Sequence, residues 1–343
     1  MSIERESDNG FSSQYTELLS ERVGGKALSC SDQWFGECAN LIKGGRAECK
    51  PGVFVSTGQW MDGWESRRSF GRSARRLEGA IDHDWCILRL GIAGVIHGVD
   101  IDTVHFMGNA PAFVSVDAAF VVGEPDGSTQ WVTLLKKTGV HCDCQNLFEL
   151  DADNTWTHVR LNIFPDGGVA RFRVYGDVVV NKNHFVKGEL IDLVSVLNGG
   201  RSLACSDQFY SSPDNLLLPG KGMNMGDGWE TKRRRDNKND WCVIKLGLIG
   251  TLRKVVVDTA YFKGNFPDRF SLEGCYTECD DIRDDDIEWK TLVPETRLYA
   301  DQEQIFIQEI VLKQDVLLTH VRFIIYPDGG VSRLRIMGFP KGW

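Results

Sequence analysis

The stretch "THVRLNIFPDGGVARFRVYG", residues 157–176, returns as "THVRFIIYPDGGVSRLRIMG" at residues 319–338, with thirteen of twenty positions identical. In both copies apolar and polar residues alternate on either side of Pro-Asp-Gly-Gly. Alternation with a period of two is typical of a half-buried β-strand. Proline and two glycines suit a tight turn. The stretch therefore predicts a β-hairpin that the chain contains twice.

The duplication extends beyond this stretch, and its blocks keep their order. The other repeated blocks are "ELLSERVGGKALSCSDQWF" (17–35, again at 192–210), "DGWESRR" (62–68, again as "DGWETKR" at 227–233) and "DWCILRLGIAGVIHGVDIDTVHFMGN" (84–109, again at 240–265). Solenoid repeats are much shorter, at ~20–50 residues. We therefore predict two homologous domains, residues 1–182 with an N-terminal extension and residues 183–343.

Each half favours β-structure. Short runs of β-branched and aromatic residues, such as "WCILRLG" and "VIHGVDIDTVHF", are separated by Gly, Pro, Asn or Asp. Helices are expected only before Gly24-Gly25 and before Gly199-Gly200. The absence of amphipathic helices between the strands argues against a βαβ fold. We predict an all-β protein of two tandem jelly-roll β-sandwich domains.

Composition limits the class of partner and the location. The formal net charge of −9 argues against a nucleic-acid partner, which normally requires a basic face. The sequence has no apolar N-terminal signal and no run of ~18 apolar residues, so we expect no export and no membrane partner. The ten cysteines lack zinc-finger spacing, and we expect them to be reduced. These features together predict a cytoplasmic protein without a metal centre.

The predicted hairpin has two unlike faces. Alternation assigns Val159, Leu161, Phe172 and Val174 to the core, and His158, Arg160, Asn162, Arg171 and Arg173 to the other face. The turn places Arg160 opposite Arg173, and Arg322 opposite Arg335. Opposed arginines repel one another, so carboxylates, an anionic ligand or solvent must lie between them. The nearest candidate acids are Asp62, Glu65 and Asp84, with Asp227, Glu230 and Asp240 in the second half.

The repeated motifs resemble those of the allantoicase family, most closely its fungal members. They are "HVR…PDGG…R.R", "DGWE", "DW" followed by "DT…F.GN", and "GGK/R.L.CSDQ", and they extend from Leu18 to Gly338. The resemblance implies galactose-binding-like jelly rolls and a homo-oligomer. It also implies a hydrolase of linear amidines that converts allantoate to ureidoglycolate and urea in allantoin and purine degradation. The alternative is a non-catalytic jelly-roll protein that binds carbohydrate or another small ligand.

The implied substrate carries one carboxylate and two ureido groups, which guides the choice of candidate residues. A carboxylate calls for arginine, ureido groups call for Asp or Asn, and C–N cleavage calls for a proton-transfer residue. The candidates for proton transfer are His158, Glu65 and Asp62, with His320, Glu230 and Asp227 in the second repeat. The candidates for substrate binding are Arg160, Arg173, Asn109 and Asp84, with Arg322, Arg335, Asn265 and Asp240. We expect no cofactor, with a divalent ion such as Mn²⁺ as the open alternative.

The two halves are not identical, so one is expected to carry the main site. His105 is replaced by Tyr261, and the first half has inserted stretches around residues 36–52 and 67–81. The first half also has more histidines. We therefore favour the first half for the main site.

Overall fold

The computed structural model describes residues 10–69, 82–279, 287–312 and 315–342. The chain forms two compact units that divide between Val179 and Val180. The strands of the first unit are β1 (Thr16–Glu17), β2 (Lys26–Cys30), β3 (Phe54–Val55), β4 (Gly58–Gln59), β5 (Trp64–Glu65), β6 (Asp84–Asp102), β7 (Phe113–Ala119), β8 (Val132–Gly139), β9 (Gln145–Glu149), β10 (Thr155–Phe164), β11 (Gly168–Val169) and β12 (Arg171–Val178).

The second unit repeats this arrangement. Its strands are β13 (Ile191–Asp192), β14 (Arg201–Cys205), β15 (Trp229–Glu230), β16 (Asp240–Asp258), β17 (Arg269–Cys275), β18 (Lys290–Arg297), β19 (Glu303–Phe306), β20 (Leu317–Tyr326), β21 (Gly330–Val331) and β22 (Arg333–Pro340). The helical segments in the described residues are short 3₁₀ turns: Glu21–Val23, Cys38–Ile42, Lys182–His184, Val196–Asn198, Pro213–Leu217 and Met225–Asp227.

One long strand organises each unit. β6 has 19 residues, where the sequence predicted two separate strands. Its first half pairs with β2 and β10, and its second half pairs with β12 and β9. The strand therefore belongs to both layers of the sandwich, in the order β1-β12-β6-β10-β7-β8. β16 does the same in the second unit, and the prediction of two tandem jelly rolls is confirmed.

The predicted hairpin is wrong, although its turn is correctly placed. β10 and β12 do not pair with each other, because each pairs with β6. Pro-Asp-Gly-Gly leads instead into β11, which pairs with β5. Arg160 consequently lies opposite Ile87 and Asp117, and Arg173 lies opposite Asp100. The predicted opposition of two arginines does not occur, and the same correction applies to Arg322 and Arg335.

The predicted core face is confirmed, and the predicted helices are much shorter than expected. Val159, Leu161, Phe172 and Val174 are completely buried. The segment before Gly24-Gly25 forms one 3₁₀ turn, which ends at Gly24 with a left-handed φ of 99°. Its counterpart before Gly199 ends in the same way. All ten cysteines are free, in agreement with the expected reduced state. No helix within the described residues is long and apolar enough to cross a membrane.

Candidate active site

The arginine next to each Pro-Asp-Gly-Gly turn forms a buried ion pair. Arg171 Nη2 donates to Asp62 Oδ2 at 2.6 Å, and Nη1 donates to the Asp62 carbonyl at 2.9 Å. Arg333 binds Asp227 through the same two contacts. Burial opposes ionisation of Asp62, but the hydrogen bonds from Arg171 and from the Glu48 N–H hold its pKa below the usual range. Asp62 and Asp227, candidates for proton transfer, thus anchor the scaffold.

Arg160 and Arg322 are held by acids that the sequence analysis did not single out. Arg160 donates to Asp117 Oδ2 from Nε at 3.1 Å and from Nη2 at 2.9 Å. Its guanidinium lies 4.9 Å from the Trp131 ring centroid. Arg322 binds Glu273 and lies 4.8 Å from the Trp289 ring. The neighbouring strands β7 and β17 supply these acids, so the predicted partners were wrong. The sequence feature that could have indicated these acids is the alternation of apolar and polar residues along β7 and β17.

Arg173 and Arg335 support loops. Arg173 donates to the carbonyls of Lys43 at 2.7 Å and Gly45 at 2.6 Å, with Glu17 at 3.4 Å. Arg335 donates to three carbonyls of the equivalent loop: Leu216, Leu218 and Gly220. The repeated arginines therefore form a structural network with carboxylates and carbonyls. The prediction that acids hold them is confirmed for all four, since Arg335 Nε also lies 3.6 Å from Asp192 Oδ2, but Asp62, Glu65 and Asp84 are not the acids concerned.

The two duplicated histidines lie far along the strands from the turn. His158 is 1% exposed, and its Nδ1 lies 2.9 Å from Thr157 Oγ1. Burial and the charge of Arg89 lower its pKa. Phe164 follows His158 by six positions, which corresponds to ~20 Å along a strand. The structure therefore does not bring His158 to Glu65. His320 repeats the contact with Thr319 at 2.9 Å.

The candidates that the structure does bring together are a glutamate and an asparagine. Asn109 Nδ2 donates to Glu65 Oε1 at 2.8 Å, and Asn265 Nδ2 donates to Glu230 Oε1 at 2.6 Å. Burial raises the pKa of both glutamates, and the hydrogen bond from the asparagine opposes this rise. Each unit thus holds a carboxyl group that retains its proton more readily than an ordinary glutamate.

Local structure explains how this pair is positioned. Trp64 is completely buried, and its Nε1 donates to the Asp32 carbonyl at 2.8 Å. Because side chains alternate along β5, Glu65 points away from the core. The Gly168 N–H donates to the Asn109 carbonyl at 2.8 Å, and the Gly330 N–H donates to that of Asn265 at 2.8 Å. The "DGWE", "GN" and "PDGG" motifs therefore meet at one end of each sandwich.

The second glycine of the turn is required by close packing. A Cβ atom on Gly168 would lie 2.1 Å from the Phe106 ring, and one on Gly330 would lie 1.9 Å from Phe262. The preceding glycine, Gly167, has a left-handed φ of 140°. The Pro-Asp-Gly-Gly sequence thus places the backbone directly against the ring that follows "DT".

Asp84 and Asp240 lie at the same end of the sandwich. Ser31 Oγ donates to Asp84 Oδ1 at 2.6 Å, and Ser206 Oγ donates to Asp240 Oδ1 at 2.8 Å. In the second unit Arg234 Nη1 also donates to Asp240 Oδ1, at 2.5 Å. Sequence reasoning missed Arg234. The sequence feature that could have indicated it is the run "KRRR" in the second repeat.

The two units differ at this position. The Arg234 N–H donates to Asp328 Oδ2 at 2.8 Å, and the Ser69 N–H donates to Asp166 Oδ2 at 2.5 Å. Ser69 is therefore the structural equivalent of Arg234. A serine therefore stands at this position of the first unit, where the second unit has an arginine.

The inserted residues of the first unit also lie elsewhere than predicted. Glu48 N–H donates to Asp62 Oδ2, and Met223 N–H makes the same contact with Asp227. The extra residues thus fall within 49–61, where the second unit has only 224–226, whereas residues 36–48 of the predicted insertion match residues 211–223. They form the β3–β4 hairpin, in which Phe54 is 72% exposed. Of the other predicted insertion, residues 70–81 lie outside the described residues.

Within the described ranges, no group of three or more His, Cys, Asp or Glu side chains is arranged to hold a metal ion.

Comparison with known proteins identifies the family. The model of the allantoicase repeat matches residues 16–179 and again residues 191–341. A probable allantoicase of Photobacterium profundum is 46% identical over 331 residues, which cover 95% of this chain and 97% of that protein. The allantoicase of Dictyostelium discoideum is 43% identical over 333 residues, which cover 95% of this chain and 87% of that protein.

A solved structure agrees with the sequence relatives. The crystal structure of Saccharomyces cerevisiae allantoicase superposes with a TM-score of 0.80 at 35% identity, covering 96% of this chain and 95% of that one. A hydrolase is therefore favoured over a non-catalytic binding module. Two matched repeats, near-complete coverage and the same fold establish that the chain belongs to the allantoicase family.

Proposed function

We propose that this chain hydrolyses allantoate to ureidoglycolate and urea, and that the reaction takes place beside the Glu–Asn pair at the end of the sandwich. Family membership supports the reaction. The observation that carries the location is the duplicated hydrogen bond from Asn109 to Glu65 and from Asn265 to Glu230. It joins a carboxyl group of raised pKa to an amide, next to a turn that both repeats retain.

The chemistry uses a proton donor and an acceptor for N–H groups. One C–N bond of the central carbon breaks, and the leaving nitrogen must take up a proton to become urea. A protonated Glu65 or Glu230 supplies that proton. The resulting carboxylate then accepts a proton from water as the water oxygen bonds to the same carbon, which gives ureidoglycolate and restores the acid. The asparagine donates its amide N–H to the glutamate, and its oxygen accepts a ureido N–H.

The test is urea release from allantoate by the purified chain, with a heat-killed control and with or without Mn²⁺. Glu65→Gln and Glu230→Gln remove the acid but keep the shape, and at least one of them should lower kcat by ~10²–10⁴-fold. Glu149→Gln, an exposed glutamate of β9, is the matched control. No urea above the heat-killed control would refute the reaction. Full activity in both glutamate variants and in the double variant would refute the location only.

The location in the cell and the assembly remain proposals. Free thiols are usual in reducing compartments, so the ten free cysteines support a cytoplasmic protein. The family resemblance supports a homo-oligomer. Light scattering that gives a mass of 38.5 kDa at working concentration would contradict the oligomer.

A further inference from the structure

We propose that Cys38 is an oxidation site, at which a hydroperoxide oxidises the thiol and Cys30 then forms a disulfide with it. Three cysteines of the first unit lie together where β2 meets β6 and the 3₁₀ turn Cys38–Ile42: Cys30, Cys38 and Cys86. All three are free thiols in the structure. This chemistry does not depend on the hydrolysis of allantoate.

Strand register brings the three thiols together. Cys30 lies directly opposite Cys86 in the β2–β6 pair, so their side chains share one face. The chain then turns back, and the 3₁₀ turn that begins at Cys38 packs against β2. The Cys38 thiol forms hydrogen bonds with both Cys30 and Cys86. Cys38 therefore has two candidate disulfide partners.

The segment that joins Cys30 to Cys38 is held in place by its neighbours. The Gly36 N–H donates to the Glu65 carbonyl at 3.2 Å, and the Glu65 N–H donates to the Gly36 carbonyl at 3.1 Å. The Cys38 N–H donates to Gln33 Oε1 at 3.1 Å. These contacts fix Cys38 beside Cys30, and they place the oxidation site next to the strand that carries Glu65.

Cys38 is the thiol of the three that reacts first. Hydrogen bonds from the Cys30 and Cys86 thiols, and from the N–H groups of Cys38 and Ala39, lower its pKa although burial opposes this. The thiolate is the form that attacks an oxidant. The hydrogen bond to Cys38 raises the pKa of Cys30, and burial raises that of Cys86. Cys86 is completely buried and Cys30 only half-buried, so Cys30 is the partner that closes the disulfide.

The oxidation proceeds in two steps that balance. The Cys38 thiolate attacks one oxygen of the hydroperoxide, the O–O bond breaks, and a sulfenic acid forms while the other oxygen takes up a proton and leaves as an alcohol. The Cys30 sulfur then bonds to the Cys38 sulfur, the S–O bond breaks, and hydroxide leaves with the Cys30 proton as water. Together the thiols lose two electrons and two protons, and the hydroperoxide is reduced to an alcohol and water.

The second unit has the strand cysteines without the third thiol. Cys205 lies directly opposite Cys242. Pro213 takes the place of Cys38 there, because each lies two residues after the position that pairs with the glutamate of its unit. Burial and the charge of Asp214 raise the pKa of Cys205 to about 11. The second unit therefore keeps two thiols but not the one that reacts, and it serves as an internal control.

The experiment treats the full chain with hydrogen peroxide, alkylates the remaining thiols and measures the unreduced tryptic peptides by mass spectrometry. Neither lysine nor arginine lies between Lys26 and Lys43, so both cysteines fall in peptide 27–43. This peptide should escape alkylation, lack two hydrogen atoms, and regain both thiols with dithiothreitol. Cys38→Ser should abolish the disulfide, and Cys30→Ser should leave a sulfenic acid on Cys38 that dimedone labels. Cys49→Ser removes an exposed thiol outside the cluster and should change nothing.

Three results would contradict this assignment. Full alkylation of peptide 27–43, at a peroxide dose that oxidises the exposed Cys49, would overturn the site itself. A disulfide between peptide 27–43 and the peptide that contains Cys86 would overturn the choice of Cys30 as the partner. Equal oxidation of Cys205 and Cys38 would overturn the role of the third thiol. The wild-type chain supplies all three measurements, so none depends on the folding of a variant.

Discussion

Arg171 Nη2 lies 2.6 Å from Asp62 Oδ2, and both side chains are almost completely buried. The two residues belong to the "PDGG…R.R" and "DGWE" motifs, which are 109 positions apart. Arg333 and Asp227 repeat the pair in the second unit. The arginine is therefore repeated because it joins the two motifs that form the end of each sandwich.

Removing one partner of this pair should destabilise its unit. Asp62→Ala leaves Arg171 buried without its counter-charge, and such changes cost ~3–5 kcal/mol. Urea denaturation should show this loss in the free energy of unfolding, and Asp227→Ala should behave likewise. Asp153→Ala, at an exposed position, is the control and should change stability by less than ~0.5 kcal/mol. Equal stability of Asp62→Ala and the control would contradict the role given to the pair.

Because of the same pair, the free energy of unfolding should depend on pH. Burial acts to raise the pKa of Asp62, but the hydrogen bonds from Arg171 and the Glu48 N–H, together with the charges of Arg171 and Lys43, outweigh it and lower the pKa in the folded chain. A lowered carboxyl pKa adds stability that is present at neutral pH and is lost as the pH falls through the folded pKa. The stability difference between wild type and Asp62→Asn should therefore shrink in acid. A difference that stays constant from neutral pH to strong acid would rule out this linkage.

The asparagine beside each glutamate should set the pH dependence of activity. Burial raises the pKa of Glu230, and the Asn265 hydrogen bond counteracts part of that rise. If the protonated glutamate is the proton donor, kcat/KM falls as the pH rises through this pKa. Asn265→Ala removes the opposing contact, so the falling limb should move to higher pH. The profile of kcat/KM against pH is the measurement, and a limb that moves to lower pH or does not move would contradict the assignment.

Arg160 and Arg322 should matter for stability rather than for activity. Each binds an acid of the neighbouring strand and stacks on a tryptophan. Their replacement by alanine should cost ~1 kcal/mol of unfolding free energy. It should leave kcat/KM for allantoate close to that of wild type. A large loss of kcat/KM in a variant of normal thermal stability would show instead that these arginines bind the substrate.

Local sequence signals predicted several features of the candidate site. Pro-Asp-Gly-Gly predicts a tight turn, and Gly167 has the left-handed φ that such a turn allows glycine. Glu65, Asn109 and Asp84 were selected because both repeats contain them, and Glu65 and Asn109 are in contact. The partners of the arginines could not be predicted in this way. Arg173 is held by Glu17 and by two loop carbonyls, and nothing in the local sequence indicates which distant loop will supply an acceptor.

The sequence by itself determined the duplication, the β class, the core face of β10 and β12, and the position of the turn. These depend on repeated blocks, alternation and the backbone freedom of glycine, which act over a few residues. Only the tertiary structure decided which strands are neighbours. β6 lies between β10 and β12 because its 19 residues pass through both layers. Strand pairing depends on residues far apart in the sequence, because strands become neighbours by burying a shared core. The neighbouring turn therefore could not predict that Arg160 lies opposite Asp117.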